Sequence, residues 1–117
     1  MSSHTLFVYG TLLQPEVQQQ IIGRLVVGEA DALEGFSRCE IALEEGVFPN
    51  IFVDPTGVVA GRCIELSGPE LERVDSYETQ AYVRDRVRLG SGRMGWVYRG
   101  EERRHGMASV RGCGAAV

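Results

Sequence analysis

Thr5-Leu6-Phe7-Val8-Tyr9-Gly10-Thr11-Leu12 is the stretch whose reading governs the rest of the chain. Thr5 to Tyr9 is a short run of β-branched, aromatic and aliphatic residues, which reads as a strand buried on both faces. Gly10 ends it, because a residue without a side chain lets the backbone turn sharply or approach another group closely. A helical pattern follows over Pro15 to Ile22. Pro15 suits the first turn, Glu16 complements its positive end, and Val17, Ile21 and Ile22 recur at helical spacing, with Gly23 as the cap. A strand-glycine-helix turn leaves backbone N–H groups without internal partners, aimed at whatever sits above the strand. Such a turn can hold an anion or a developing oxyanion, although many buried strands end at a glycine for no chemical reason.

The chain of 117 residues supplies one domain with a modest core; 44% of it is hydrophobic, and no apolar run is long enough to cross a membrane. A secretory signal is not expected, since the basic start and apolar segment of one are missing. Cys39, Cys63 and Cys113 are widely separated and read as reduced thiols of a cytoplasmic protein. The net charge of −4 argues against nucleic acid or an anionic membrane as partner. With only His4 and His105 available, a histidine triad or a two-histidine metal site is not expected.

Between the first helix and residue 66 the chain reads as short strands marked off by turns. Leu25 to Gly35 is a twisted strand with a bend, and Arg38 to Leu43 is another, ending at Glu44-Glu45-Gly46. Val47 to Val53 is an edge or irregular strand because Pro49 interrupts it. Asp54-Pro55-Thr56-Gly57 is a turn, and Val58 to Leu66 a strand in which Gly61 marks a bulge or close backbone contact. Many short strands with two helices imply a small curved sheet or barrel of the α+β class.

The second informative stretch begins at Ser67-Gly68-Pro69-Glu70, a capping box that predicts a helix over Pro69 to Tyr77. Leu71 and Val74 form its apolar stripe. At about 100° per residue Glu78 falls within about 20° of Leu71, with Asp75 beside them, if the helix lasts that far. An inward carboxylate costs free energy unless it is paired or protonated. Glu78 is therefore the first candidate for chemistry, against the plainer reading of a loop acid just past the helix. Asp75 reads as structural, and Arg84 as a partner for either carboxylate. In the strand Tyr82 to Leu89, Val83, Val87 and Leu89 share one face; Tyr82, Arg84, Arg86 and Arg88 share the other, which reads as solvated. Met94 to Arg99 is the last strand, its Met94, Trp96 and Tyr98 read as core packing. Residues 100–117 read as a loose tail after a domain over 1–99.

Phe7-Val8-Tyr9-Gly10-Thr11-Leu12, then Val74-Asp75-Ser76-Tyr77-Glu78, then Tyr82-x-Arg84-x-x-Val87, resemble in order and spacing the γ-glutamylcyclotransferase-like superfamily. The resemblance covers roughly residues 6 to 99 and is nearest the AIG2-like branch, which includes γ-glutamylamine cyclotransferases. It implies a small mixed β-barrel with flanking helices, in agreement with the strand pattern. It also implies an intramolecular acyl transfer: the α-amine of a small γ-glutamyl amide or amine attacks its own γ-carbonyl, releasing 5-oxoproline and the amine or amino acid. On this resemblance Glu78 is the catalytic carboxylate, and Tyr9, Gly10, Thr11 and Leu12 are the substrate-binding turn, with Tyr82 and Arg84 beside them. No metal or other cofactor is implied. Turn N–H groups would bind either the substrate α-carboxylate or the tetrahedral oxyanion. Thr79 stands where the family often has Gly, and Val74 where it often has Leu; neither change removes a reacting group. The alternative is a non-catalytic module on the same fold, binding a small metabolite or using the Arg84, Arg86 and Arg88 face for interaction.

Overall fold

A computed structural model describes residues 3–43, 46–78, 82–100 and 109–111. The elements in chain order are β1 (His4–Val8), a 3-10 turn (Thr11–Leu13), α1 (Pro15–Ile21), β2 (Glu29–Leu43), β3 (Gly46–Leu66), α2 (Gly68–Glu78), β4 (Tyr82–Arg88), β5 (Met94–Gly100) and β6 (Ser109–Arg111). They form one mixed sheet in the order β4-β5-β1-β3-β2-β6. β1 runs parallel to β5 at Leu6 and Trp96 and antiparallel to β3, and the other pairs are antiparallel. The result is the curved, half-barrel α+β fold that the strand pattern implies.

β1 is central because it is apolar on both faces. Leu6 and Val8 pack with Ile64 and Leu66 against Leu12, Ile22, Leu71 and Val74 of the helical layer. Phe7 and Tyr9 point the other way, into a second cluster with Leu33, Ile51, Val59, Leu89 and Val97. The close approach expected at Gly61 is present: a Cβ there would stand 2.4 Å from the Val8 carbonyl oxygen and 2.7 Å from the Phe7 ring. A side chain at 61 would force β1 and β3 apart.

The region from 29 to 66 is simpler than its punctuation suggests. Four expected strands are two, paired as one long hairpin from Glu29↔Cys63 to Leu43↔Gly46. The bend at Gly35 (φ +86°) and the Asp54-to-Gly57 turn fall opposite each other and form a bulge, where pairing steps from Glu34↔Val58 to Phe36↔Val53. The turn chemistry is real: Asp54 Oδ1 accepts the Thr56 N–H at 3.2 Å and its hydroxyl at 3.1 Å. It re-aims a strand instead of ending one. Pro49 is tolerated because β1 flanks β3 only over residues 62–66, so near Pro49 the ladder runs to β2 alone.

Two further readings are corrected. Ser109–Arg111, assigned above to a loose tail, pair with β2 at Glu40, Ile41 and Ala42; the run is too short to signal a strand by itself. Cys39 is disulfide-bonded and is not a reduced thiol, whereas Cys63 is free and buried. Glu44, Glu45, Thr79, His105, Cys113 and the other residues of 101–108 and 112–117 lie outside the described residues. No helix among the described residues is long and apolar enough to cross a membrane.

Candidate active site

The chain leaves β1 at Tyr9 and closes a 3-10 turn before α1, an element not anticipated between Gly10 and Pro15. Leu13 N–H donates to the Gly10 carbonyl and Gln14 N–H to the Thr11 carbonyl, each at 3.0 Å. The N–H groups of Gly10, Thr11 and Leu12 make no backbone hydrogen bond among the described residues. They are the orphan donors that a helix start leaves behind. The turn is fixed from behind: buried Gln18 donates from Nε2 to the Leu12 carbonyl at 3.0 Å and accepts the Val26 N–H at 2.9 Å. The Tyr9 ring is buried, and its hydroxyl donates to the Tyr98 carbonyl at 2.6 Å.

α2 brings the acid. Its capping box forms as predicted, the Ser67 N–H donating to Glu70 at 2.9 Å and the Glu70 N–H to Ser67 Oγ at 3.3 Å. Leu71 and Val74 are buried, and the helix runs on to Glu78, its last residue. Glu78 is half-buried, and burial raises its carboxyl to about 7. Burial is the leading cause that also raises the phenols of Tyr9, Tyr82 and Tyr98, and the Glu78 charge adds to all three. Three tyrosines from the β1 end, β4 and β5 therefore lie close enough to Glu78 to feel its charge.

Asp75, one turn earlier, accepts the Tyr98 hydroxyl and faces Arg84 Nη1 at 3.5 Å. Of the two carboxylates considered for Arg84, Asp75 is the one it meets. That Nη1 is buried without a hydrogen bond among the described residues, so the pair is electrostatic only. The Arg84 guanidinium also lies 4.3 Å from the Trp96 ring centroid, and that of Arg86 5.2 Å. Of the arginine face read as solvated, Arg86 and Arg88 are exposed, although Arg86 also lies over the Trp96 ring, and Arg84 alone is partly buried.

Tyr82 donates its hydroxyl to the Pro49 carbonyl, and Pro49 in turn packs on Gly10. The structure thus brings Tyr9, Tyr82 and Glu78 into one electrostatic neighbourhood, with Gly10, Thr11 and Leu12 following Tyr9 in the chain and Arg84 one step removed through Asp75. Residues not anticipated here are Arg38, which donates to the Tyr9 carbonyl, and Tyr98, which serves the site with both its carbonyl and its hydroxyl. Tyr98 sits in an alternating aromatic run that reads as packing, and nothing in the local pattern sets Arg38 apart. Among the described residues no group of three His, Cys, Asp or Glu side chains is placed to hold a metal ion. A separate hollow of about 260 Å³, lined by Leu13, Pro15, Gln18, Val26, Arg62 and Ile64 among others, includes neither Glu78 nor Tyr9.

The family profile described as gamma-glutamyl cyclotransferase, AIG2-like matches residues 6–112. The chain belongs to that family. AIG2-like protein C of Arabidopsis thaliana is 34% identical over 89 residues, covering 75% of this chain and 51% of its own length. The chain thus spans about half the length of the curated relatives it matches, 51% and 46% of two of them. A solved structure titled gamma-glutamyl cyclotransferase superposes with a TM-score of 0.74 at 18% identity over 86% of this chain and 68% of that one. The solution structure of an Arabidopsis thaliana protein gives a TM-score of 0.71 at 26% identity over 93% and 71%. The first shares the fold; the second adds sequence likeness to it.

Proposed function

We propose that this member of the family cyclises the γ-glutamyl group of a small γ-glutamyl amide or amine, forming 5-oxoproline and releasing the amine or amino acid. The observation that carries the reading is the half-buried Glu78, its carboxyl raised to about 7 by burial, among the tyrosines that adjoin the Tyr9-to-Leu12 turn. A carboxyl group poised near neutrality is matched to moving a proton in both directions.

The substrate α-amine is an ammonium at neutral pH and must lose a proton before it attacks. Glu78 carboxylate takes that proton. The freed nitrogen adds to the γ-carbonyl carbon, the carbonyl π electrons move to oxygen, and the turn N–H groups stabilise an anionic oxygen of the substrate. Collapse of the tetrahedral species breaks the bond to the departing nitrogen, which receives a proton from Glu78, while the ring nitrogen, still carrying two hydrogens, gives its extra proton to the same carboxylate, which passes it to the released amine. Nucleophile and electrophile share one molecule, so the protein's contribution is a ring-closing conformer and a proton relay. The proton relay accounts for about 10² to 10⁴ in rate.

The test is 5-oxoproline release from a panel of γ-glutamyl amides, amines and dipeptides, by the wild-type chain and by Glu78→Gln. Release by the wild type, lost in a folded Glu78→Gln protein, supports the reading. Saturable ligand binding with no turnover in either protein would move the assignment to a non-catalytic binding module.

A further inference from the structure

Arg38 has no place in the sequence pattern of the site, yet it touches the site's most exacting element. It lies on β2, its side chain is largely exposed, and it enters no ion pair among the described residues. Its Nη1 donates to the Tyr9 carbonyl oxygen, and its guanidinium carbon stands 5.9 Å from the Tyr9 ring centroid. An exposed arginine held on a backbone carbonyl does something to that peptide.

The described backbone contains no cis peptide bond. In a trans peptide the C=O and N–H of one plane point in opposite directions. With the Tyr9 carbonyl turned toward Arg38, the Gly10 N–H in the same plane is turned away from it. A plane adjoining glycine is otherwise free to rotate, because glycine tolerates either orientation. The Tyr9 carbonyl is also the natural i–3 acceptor for the Leu12 N–H. Here the turn instead begins one residue later, with Leu13 N–H on the Gly10 carbonyl, so the Leu12 donor stays available. A cationic donor on a peptide oxygen further draws electron density from the nitrogen and strengthens that N–H as a donor.

We propose that Arg38 is a positioning residue that locks and polarises the Tyr9–Gly10 peptide, holding the Gly10 and Leu12 N–H groups ready for an anionic oxygen of the substrate. The proposal rests on the cyclotransferase reading for the identity of that anion, but not for the orientation of the peptide.

Three variants grade the effect. Arg38→Lys keeps charge and one donor, Arg38→Gln keeps a neutral donor, and Arg38→Met keeps only bulk. Two readouts are needed: kcat/KM with affinity for 5-oxoproline, and the Gly10 amide in nitrogen-15 relaxation of the ligand-free protein. Loss of a charge-assisted hydrogen bond corresponds to about 10- to 100-fold. Arg38→Lys should stay within about threefold of wild type, Arg38→Gln should be intermediate, and Arg38→Met should lose about tenfold or more with a more mobile Gly10 amide. An Arg38→Met protein that binds like wild type with an unchanged Gly10 amide overturns the proposal, as does Arg38→Lys failing as badly as Arg38→Met. If the wild type neither binds nor turns over these ligands, the cyclotransferase reading falls, and the Gly10 relaxation, which needs no ligand, still decides the role of Arg38. Should Arg38→Met not fold, the Lys-to-Gln comparison carries the same decision.

Discussion

Gly10 lies so close to Pro49 that a Cβ at position 10 would stand 2.7 Å from Pro49 Cγ. The proline ring cannot swing aside, and its own carbonyl accepts the Tyr82 hydroxyl, so the ring backs the turn from the β3 side. Gly10→Ala should therefore cost about 1–3 kcal/mol in urea denaturation, as overpacking does, and at least about tenfold in kcat/KM as the turn shifts. Gly10→Ala with Pro49→Ala should recover much of the stability, because removing the ring removes the collision. A Gly10→Ala protein of native stability would show that the contact yields without cost.

The rate should follow the charge of Glu78. Its carboxyl is raised to about 7 by burial, and in the proposed cyclisation only the ionised form would take a proton from the substrate ammonium. Log kcat/KM should rise with unit slope below that value and level off above it. A profile already flat from pH 5 upward would mean that the group controlling the rate titrates in the ordinary carboxylate range, and Glu78 would lose its role as base.

The same shift has a stability consequence of opposite sign. Glu78 moves from an ordinary 4.5 to about 7 on folding, so the folded chain holds the proton more tightly than the unfolded chain. Stability from this group is complete below about 4.5 and is lost as pH rises through about 7. The undiscounted shift corresponds to about 3 kcal/mol, and partial solvent contact reduces it to about 1–2 kcal/mol. Glu78→Gln should be more stable than wild type by that amount at pH 8, with the gap closing toward pH 4. Asp31 and Glu70, each held down to about 2 by hydrogen bonds from Ser91 and Arg24, weaken the fold in strong acid, but equally in both proteins. Equal urea midpoints at pH 8 would show that Glu78 is not desolvated.

Much of this architecture is written locally. The apolar run Thr5 to Tyr9 marks the central strand because both of its faces are buried. The Ser67–Glu70 box marks α2 because capping needs only four residues. What local pattern cannot carry is pairing at a distance. Gly35 and the Asp54-to-Gly57 turn each look like strand ends, and only their meeting across the hairpin turns them into one bulge. The same holds in the site. Glu78 is legible from its helical angle to Leu71, whereas Arg38 reaches Tyr9 across 29 residues and Tyr98 reaches Asp75 across 23. Nothing near Arg38 or Tyr98 in sequence records either contact.

Tyr98 joins the two halves of the site: its carbonyl receives the Tyr9 hydroxyl and its own hydroxyl donates to Asp75. Tyr98→Phe removes only the second bond, so Asp75 keeps its ion pair with Arg84. A loss of about 1–2 kcal/mol is expected, with a moderate fall in kcat because Asp75 lies one turn before Glu78 on α2. Asp75→Asn should be worse, since it removes the charge facing Arg84, whose Nη1 is already buried without a hydrogen bond among the described residues. Melting temperature and kcat should therefore fall in the order wild type, Tyr98→Phe, Asp75→Asn. If the reverse order is measured, the Tyr98 hydroxyl holds the end of α2 and the Arg84 ion pair does not.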